Sequence, residues 1–331
     1  MTVALIHVRS LKKTYQVPVR EAGLMNAARS LFRRRYTSIE AVQEVSFDIQ
    51  AGEVVGFIGP NGAGKTTTLK ILSGLLHPTQ GEVSVAGETP WERKPAYLRQ
   101  ISMVIGNKSQ VTWDIPPLDT YAVLGEIYRV PRRELQRRIE ELAEMLDIHA
   151  LLTKPVRNLS LGERMKCELL ASLLHQPAVL FLDEPTLGLD VSTQRRLREF
   201  IREYNRRTGA TIMLTSHYMA DVSALCTRLM VIHHGRLIYD GGLAELVRQL
   251  APFKLIRLTL DGGGDGIPAG VASQVTITEQ DDEEHVTIRA SRADVAAVTT
   301  RLLDTLPVID LVVEEPPIEA VIDQFYTEGA R

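Results

Sequence analysis

The sequence predicts an α/β fold in which a parallel sheet is covered by helices, followed by a small α+β domain. In the first part of the chain, short strand-like runs such as 53–58 alternate with helix-like segments, the pattern expected of such a sheet. The pattern changes at Ala251 and Pro252, and a length of 331 residues allows two domains. We therefore expect domains at residues 1–250 and 251–331.

A glycine-rich loop at Gly59–Thr66 supports this fold and predicts a phosphate site. It matches the pattern G-x-x-x-x-G-K-[ST], with the strand-like run 53–58 before it and a helix-like run, 67–76, after it. In such loops, backbone N–H groups converge on phosphates and the helix N-terminus adds a favourable dipole. Lys65 is expected to reach the β- and γ-phosphates, and the Thr66 hydroxyl to bind Mg²⁺. The sequence thus predicts binding of ATP or GTP. The expected nucleotide-contacting residues here are Gly59, Pro60, Asn61, Gly62, Ala63, Gly64, Lys65, Thr66 and Thr67.

Asp183 and Glu184 end a second apolar strand. A carboxylate at the end of a strand beside a phosphate loop suits Mg²⁺, which binds carboxylate oxygens and water. Successive side chains on a strand point to opposite faces, so we expect the two acids to have different tasks. Such a pair could also merely cap the next turn, but the phosphate loop favours the metal site.

A pentapeptide with the sequence Leu-Ser-Leu-Gly-Glu, at 159–163, precedes a helix-forming run, 164–174, and then the strand that ends in the Asp-Glu pair. This order resembles the ABC ATPases, strongly over residues 3–246 and only loosely in the tail. The motifs in chain order are Lys65, Ser160, Asp183, Glu184, Asp190 and His217. The resemblance implies a P-loop NTPase fold with a mixed, mainly parallel core sheet and a helical subdomain at about 112–165. It also implies ATP and Mg²⁺ as cofactors.

The resemblance implies catalytic tasks for three residues. Asp183 would be the acid linked to Mg²⁺, and Glu184 would polarise the attacking water. His217 follows the apolar run 211–216 and would hold the γ-phosphate and the general base, although a lone histidine after a strand is more often structural.

The resemblance further implies that two copies of the chain share each ATP. Ser160 and Gly162 of one copy would contact the γ-phosphate held by the other, and Asp190 would lie in a loop that crosses between them. Tyr15 would stack on adenine, unless it belongs to the core. The signature departs from the commonest form, Leu-Ser-Gly-Gly-Gln, and Glu163 adds a negative charge near an anionic ligand.

The family's glutamine that binds Mg²⁺ and contacts the membrane partner has two candidates here. Counting back from the following helix places Asn107 at that position, whereas Gln110 is the only glutamine nearby. Both remain open. We also expect a membrane permease to dock on segment 107–117, assisted by the helical subdomain. Trp113 would be its anchor, unless Trp113 fills the core of that subdomain.

An insertion at about 17–39 replaces a link that is short in the family. Its apolar residues recur at roughly helical spacing and precede three arginines, which is typical of an amphipathic helix with a basic end. These positions are Ala22, Leu24, Met25, Ala28, Leu31, Phe32, Arg33, Arg34 and Arg35. The helix could be a solvated surface helix, or it could contact the membrane partner or anionic lipid headgroups.

The accessory domain is expected to be a dimerising or regulatory appendage, because no ligand-binding constellation is recognisable in it. Ser291 and Asp294 predict a capping box at the start of a helix. The expected elements are strands at 253–260, 285–289 and 308–313, a helix to about Leu303 and a final helix at 318–326.

Composition narrows the class of protein. A net charge of -3 argues against binding of nucleic acid. The sequence has no run of eighteen apolar residues and does not begin like a secretory signal. Cys167 and Cys226 lie far apart and outside any ligand spacing, which favours a reducing compartment. We expect a cytoplasmic protein, held at the inner face of the cell membrane by its permease.

Three functions compete: the ATP-hydrolysing subunit of a membrane transporter, a soluble ABC ATPase of translation or DNA maintenance, and a module that holds ATP without hydrolysing it. A single phosphate loop and signature argue against translation-type relatives, which carry two cassettes, and no heptad run suggests a DNA-maintenance protein. Glu184 is intact, which argues against an inactive module. Similarity to bacterial single-cassette subunits favours a transporter subunit that powers export through a separate permease.

Overall fold

The computed structural model describes residues 4–18, 36–106, 108–261, 275–280, 285–317 and 321–322. The chain forms two compact units, Met1–Gly241 and Gly242–Arg331, and each has a hydrophobic core of its own. Within the described ranges, no helix has the length and apolar composition needed to cross a membrane.

The first unit alternates strands and helices. Its strands are β1 (Ile6–Pro18), β2 (Tyr36–Ile49), β3 (Val54–Ile58), β4 (Gln80–Val85), β5 (Ile101–Ile105), β6 (Val179–Asp183), β7 (Thr211–Thr215), β8 (Arg228–His233) and β9 (Arg236–Gly242). Its helices are α1 (Lys65–Leu72), α2 (Pro95–Leu98), α3 (Pro117–Tyr128), α4 (Arg132–Leu146), α5 (Leu161–Leu173), α6 (Val191–Thr208) and α7 (Met219–Leu225). Short 3-10 turns lie at Pro90–Glu92, His149–Leu151 and Val156–Asn158.

The central sheet has the strand order β5-β6-β7-β3-β8-β9. The pairs β5/β6, β6/β7, β7/β3 and β3/β8 are parallel. Strand β9 follows β8 after only two residues, a connection that permits only antiparallel pairing. The predicted mixed, mainly parallel sheet is therefore confirmed. Because parallel strands end at the same edge, the segments that follow β3, β6 and β7 lie side by side there.

A second, three-stranded antiparallel sheet has the order β2-β1-β4. Strands β1 and β2 pair as far as Val17 with Thr37 and Pro18 with Tyr36. The outer residues of the predicted insertion, 17–18 and 36–39, are thus strand and not helix. The predicted amphipathic positions between residues 22 and 35 lie outside the described residues.

A helical segment connects β5 to β6 and comprises α3, α4 and α5. Helix α4 is amphipathic, and its apolar positions Leu135, Leu142, Ala143 and Leu146 are buried. Helix α5 begins at Leu161, three residues earlier than predicted. The reason is a capping box, in which the Ser160 hydroxyl accepts the Glu163 N–H and the Glu163 carboxylate accepts the Ser160 N–H.

The second unit is a small α+β fold. Its elements are α8 (Leu243–Leu250), β10 (Phe253–Leu260), β11 (Val275–Gln280), β12 (His285–Ser291), α9 (Val295–Thr305) and β13 (Val308–Glu314). The antiparallel sheet has the order β11-β12-β10-β13. Ile256 and Ile288 of the sheet and Val298 and Leu302 of α9 belong to its core.

The predicted capping box is wrong, because Ser291 is still the last residue of β12 and its hydroxyl donates to the Asp294 carboxylate at 3.0 Å. Helix α9 starts directly after Asp294, whose side chain makes no cap hydrogen bond. Of the predicted final helix at 318–326, only residues 321 and 322 are described, and both are helical and buried.

Candidate active site

The phosphate loop connects β3 to α1, and two of its glycines are needed for close packing. A Cβ added to Gly59 would lie 2.2 Å from the carbonyl oxygen of Ile232. Gly64 has a φ of +109°, and a Cβ there would lie 2.4 Å from the carbonyl oxygen of Ala41. A larger residue at either position would push the loop away from its neighbours, so the pattern of glycines fixes the path of the backbone. Helix α1 begins at Lys65, directly after the left-handed Gly64.

Lys65 lies inside this loop and is only 5% exposed. Its Nζ atom donates to the carbonyl oxygens of Gly59 at 2.6 Å and Pro60 at 3.2 Å. Burial lowers the pKa of Lys65, and the nearby carboxylates of Glu184 and Asp183 act in the opposite direction. The ammonium group is therefore held at the centre of the loop, between its backbone and the acidic end of β6.

Asp183 ends β6 and is tied to two threonines. Its Oδ1 atom accepts hydrogen bonds from the hydroxyls of Thr66 at 3.1 Å and Thr215 at 2.8 Å. Thr66 follows the phosphate loop, so a carboxylate and a hydroxyl oxygen lie together at the end of the sheet. Hard oxygen donors of this kind fit Mg²⁺, which takes few protein ligands and completes its shell with phosphate oxygens and water. In the described residues, no group of three His, Cys, Asp or Glu side chains could hold a metal by itself.

Glu184 and His217 form the second pair at this edge. The Nε2 atom of His217 lies 2.7 Å from the Oε1 atom of Glu184, and both side chains are partly exposed. Glu184 has a φ of +54°, in the left-handed region that non-glycine residues rarely adopt. Its N–H donates to both the carbonyl and the hydroxyl of Thr215, each at 3.1 Å. Sequence reasoning missed Thr215, whose signal was a threonine at the end of the strand before Ser216 and His217.

Ser160, Gly162 and Asp190 lie where α5 meets the start of α6. A Cβ added to Gly162 would lie 3.0 Å from the Thr193 side chain. The Asp190 carboxylate accepts hydrogen bonds from the Ser192 hydroxyl at 2.6 Å, the Thr193 N–H at 2.9 Å and the Thr193 hydroxyl at 2.7 Å. These bonds, that of Ser192 foremost, hold the pKa of Asp190 well below its usual range.

The predicted site thus falls into two groups within one chain. Lys65, Thr66, Asp183, Glu184 and His217 come together at the edge of the sheet. Among the described residues, no hydrogen bond or ion pair joins Ser160 or Asp190 to that group; the cap of Ser160 and the turn of Asp190 are local.

Tyr15 lies on β1 and is partly buried, with the Lys13 Nζ atom 5.2 Å from the centre of its ring. Its strand neighbour is Ile39, two residues before Ala41, whose carbonyl packs on the phosphate loop. Tyr15 is therefore on the strand pair that borders the loop.

The two candidates for the third Mg²⁺ ligand differ in their surroundings. The Gln110 side-chain amide donates to the Met103 carbonyl at 3.3 Å. Asn107 lies outside the described residues. Its neighbour Gly106 donates its N–H to the Asp183 carbonyl at 3.0 Å, so the chain approaches Asp183 directly before Asn107.

Comparison with known protein families gives two matches. Residues 42–187 match a family described as "ABC transporter". Residues 252–314 match a family described as "EvrA-like ABC transporter, C-terminal domain". The two matched regions fall in the first and the second structural unit, respectively.

Several curated proteins are similar to this chain. ABC transporter ATP-binding protein NatA of Bacillus subtilis is 34% identical over 215 residues, which are 65% of this chain and 87% of NatA. Linearmycin resistance ATP-binding protein LnrL, also of Bacillus subtilis, is 29% identical over 296 residues, or 87% of this chain and 94% of LnrL. A Nod factor export ATP-binding protein I of Burkholderia lata is 36% identical over 216 residues, covering 65% of this chain and 70% of that protein.

Solved structures support the same fold. A structure described as the ATP binding subunit of an ABC transporter has a TM-score of 0.61 at 25% identity and covers 74% of this chain and 92% of its own. The structure of cbiO1 from Clostridium perfringens has a TM-score of 0.60 at 22% identity. The match covers 75% of this chain and 94% of cbiO1. The latter likeness concerns the fold alone.

Proposed function

The chain belongs to the ABC transporter ATP-binding proteins, and on that premise we propose that it hydrolyses ATP at Glu184 to drive export through a separate membrane permease. The observation that carries the proposal is the Glu184–His217 pair, 2.7 Å apart, at the edge where Asp183 contacts Thr66. The alternative, an ATPase of translation or DNA maintenance, finds no support in the relatives described above. The direction of transport rests on relatives whose names refer to Nod factor export and linearmycin resistance.

The phosphate loop and Lys65 bind the triphosphate in this proposal. Backbone N–H groups of the loop and the N-terminus of α1 face the phosphates, and the Lys65 ammonium neutralises part of their charge. Thr66 and Asp183 would hold Mg²⁺, which supplies further positive charge next to the phosphates when bound. We assign Asn107 as the third protein ligand in preference to Gln110, because the residue directly before Asn107, Gly106, donates its N–H to the carbonyl oxygen of Asp183 at 3.0 Å.

Glu184 acts as the general base. Its carboxylate accepts a proton from the water that attacks the γ-phosphorus, and His217 orients the carboxylate through Oε1. A donor on one carboxylate oxygen fixes the direction in which the other one faces, and positioning of this kind accounts for much of the gain from a general base.

The second half of each site comes from a second copy of the chain. Ser160 and Gly162 of one copy complete the site of the other, and Asp190 lies in the loop between them. The support is that, among the described residues, no hydrogen bond or ion pair joins Ser160 or Asp190 to Lys65 or Glu184, while Ser160 is exposed at the start of α5. Two identical surfaces related by a two-fold axis close the assembly at a dimer. Adenine stacks on Tyr15 in this arrangement.

The permease docks beside segment 107–117 in this proposal. Several apolar side chains in this segment, on α3 and in the turn after α1 are exposed: Leu75, Trp113, Leu118, Val123 and Ile127. A cavity of about 700 Å³ lies there, lined among others by Gln110, Ile127 and Arg129. Trp113 is 51% exposed, which contradicts its expected alternative as a core residue of the helical subdomain. Docking would hold the protein at the inner face of the membrane, and the arginines at 33–35 could add contact with anionic lipid.

The ATPase rate of the purified 331-residue chain tests the proposal. Replacing Glu184 by Gln removes the base and leaves the phosphate loop intact, so turnover should fall about 10²–10⁴-fold while ATP affinity is retained. Glu144→Gln, an exposed position on α4, is the matched control and should hydrolyse ATP normally. Hydrolysis by Glu184→Gln at the wild-type rate would show that another group acts as the base.

A further inference from the structure

Asp221, in the first turn of α7, is a fully buried carboxylate close to the catalytic pair, with an exposure of 0%. Its Oδ2 atom accepts hydrogen bonds from the hydroxyls of Thr186 at 2.5 Å and Ser216 at 2.7 Å. Its Oδ1 atom accepts from the Arg198 guanidinium at 2.8 Å. We call Thr186, Arg198, Ser216 and Asp221 the Asp221 cluster. It joins three parts of the fold: the loop after β6, the loop after β7, and α6.

The two hydroxyls of this cluster sit on the chain segments that carry the catalytic pair. Thr186 is two residues after Glu184, and Ser216 directly precedes His217. The Ser216 hydroxyl oxygen also accepts the N–H of Tyr218 at 3.0 Å. The Ser216 hydroxyl therefore connects the backbone on both sides of His217 to Asp221. The Thr186 hydroxyl connects the segment just after Glu184 to the same carboxylate.

The backbone of Glu184 is the reason that such an anchor matters. Its φ of +54° is strained for a residue with a side chain, and a strained conformation persists only where the surroundings over-determine it. On one side, the Glu184 N–H is held by Thr215. On the other, Thr186 is held twice, by its hydroxyl on Asp221 and by its carbonyl, which accepts from the Gln194 side chain at 3.2 Å.

The charge of the cluster is balanced within the protein. A buried carboxylate is tolerated when it is paired and hydrogen-bonded, and Arg198 supplies the opposite charge from α6. The Oδ1 atom of Asp221 accepts from Arg198. Its Oδ2 atom accepts from the hydroxyls of Thr186 and Ser216. The geometry of the carboxylate thus sets the spacing between the loop that follows Glu184 and the loop that carries His217.

We propose that Asp221 is a positioning residue for ATP hydrolysis. By binding the hydroxyls of Thr186 and Ser216, it fixes the positions of Glu184 and His217 relative to each other. The proposal rests on the proposed function, since it takes Glu184 as the base and His217 as its partner. Asp221 acts through these two residues and does not itself contact the nucleotide.

Two variants that remove single hydroxyls test the proposal without creating a buried unpaired charge. Thr186→Val keeps the shape of the side chain, and Ser216→Ala removes the other donor. Each should lower kcat about 10- to 100-fold, because misplacing a catalytic group by about 1 Å costs on the order of 10²-fold. The affinity for Mg-ATP, measured by calorimetry, should change less than about threefold, since the phosphate loop is untouched. Thr186→Ser, which restores the hydroxyl, should recover most of the rate.

Ser223→Ala is the control from the same helix, because the Ser223 hydroxyl donates to the Met219 carbonyl one turn earlier and, among the described residues, makes no hydrogen bond to the Asp221 cluster. It should leave kcat unchanged. Wild-type kcat in both Thr186→Val and Ser216→Ala, or a Thr186→Ser variant no faster than Thr186→Val, would overturn the positioning role. So would a parallel loss of ATP affinity.

Glu184→Gln belongs in the same experiment, because it separates two kinds of failure. If Glu184→Gln is inactive while the hydroxyl variants are normal, only the role of Asp221 is refuted. If Glu184→Gln hydrolyses ATP at the wild-type rate, the assignment of the base fails.

Discussion

The Nε2 atom of His217 lies 2.7 Å from the Oε1 atom of Glu184, although the two residues follow different strands of the sheet. The contact requires β6 and β7 to end at the same level, and their register provides this by pairing Asp183 with Thr215. Each residue of the pair follows its strand by one or two positions. The His217 imidazole, which follows β7, therefore contacts the Glu184 carboxylate, which follows the neighbouring strand β6.

His217→Ala should lower the ATPase rate by about 10²-fold through loss of orientation of Glu184. ATP affinity should fall much less, because Lys65 and the loop remain. Steady-state kinetics and nucleotide titration of the same samples measure the two effects. His149→Ala, a partly exposed histidine in a 3-10 turn, controls for loss of an imidazole elsewhere. A variant with unchanged kcat would remove His217 from the mechanism.

Glu184→Gln should form a stable dimer in the presence of Mg-ATP, since the closed state cannot be cleared by hydrolysis. Sedimentation velocity with and without nucleotide measures this. The double variant Lys65→Ala with Glu184→Gln is the control and should stay monomeric, because it lacks the ammonium that binds the phosphates. If Glu184→Gln remains monomeric at saturating Mg-ATP, the proposal that Ser160 and Gly162 complete a second copy's site is contradicted.

The residues around the phosphate site were predictable because their signals are local. The loop at Gly59–Thr66 and the acids Asp183 and Glu184 are defined by short contiguous patterns, and parallel strands then place them at one edge. Thr215 could not be assigned in the same way. Its role depends on the register of β7 against β6 and on the strained backbone of Glu184, which no local pattern shows.

The two Ser-x-x-acid patterns show why local signals can also mislead. At 160–163 the capping box forms, and the glutamate reaches back to the N–H of Ser160. At 291–294 it does not form, because Ser291 belongs to β12 and the shorter Asp294 carboxylate accepts from the Ser291 hydroxyl. Strand pairing with β10 decides the outcome there, and that information lies far away in the sequence.

Asn107→Ala should raise the Mg²⁺ concentration needed for half-maximal ATPase activity by about tenfold or more if Asn107 contributes to the metal site. Gln110→Ala should leave this concentration unchanged, because Gln110 does not bind the metal in this assignment. Titrating Mg²⁺ at fixed ATP distinguishes the two. The reverse result, with Gln110→Ala defective and Asn107→Ala normal, would reassign the ligand to Gln110.

Glu168 is a buried acid, 3% exposed, on α5. Its carboxylate accepts the N–H groups of Gln110 at 2.8 Å and Val111 at 3.1 Å, as well as the hydroxyl of Ser109. Replacing it by Gln puts an NH₂ group among these donors, so we expect a loss of about 1–3 kcal/mol in the free energy of unfolding. Glu144→Gln, which is exposed, should lose almost nothing.

The effect of Glu168→Gln should also depend on pH. Burial raises the pKa of Glu168, and its hydrogen bonds act in the opposite direction without cancelling the shift. With a raised pKa, the folded state holds the proton more tightly than the unfolded state does, so its stability falls as pH rises from 4.5 through the folded pKa. The difference in the free energy of unfolding between wild type and Glu168→Gln should therefore become smaller as the pH rises above about 4.5. Urea unfolding at several pH values tests this, and a gap that widens with pH would contradict the raised pKa.

Trp113→Ala should uncouple hydrolysis from transport without unfolding the protein. The indole is 51% exposed and lies 5.3 Å from the Arg164 guanidinium, measured to the ring centre, so few core contacts are lost on truncation. We expect a change in the free energy of unfolding within about 0.5 kcal/mol, as for other surface substitutions, and a normal basal ATPase rate. In proteoliposomes with its permease, stimulation of the ATPase and transport should both be lost, because an aromatic anchor at the centre of an interface often dominates binding. Trp91→Ala gives the contrast, since Trp91 packs on the main core and should lower the melting temperature clearly. A similarly large fall in the melting temperature of Trp113→Ala would show that Trp113 does not anchor the permease. Full stimulation of the ATPase of this variant by the permease would show the same.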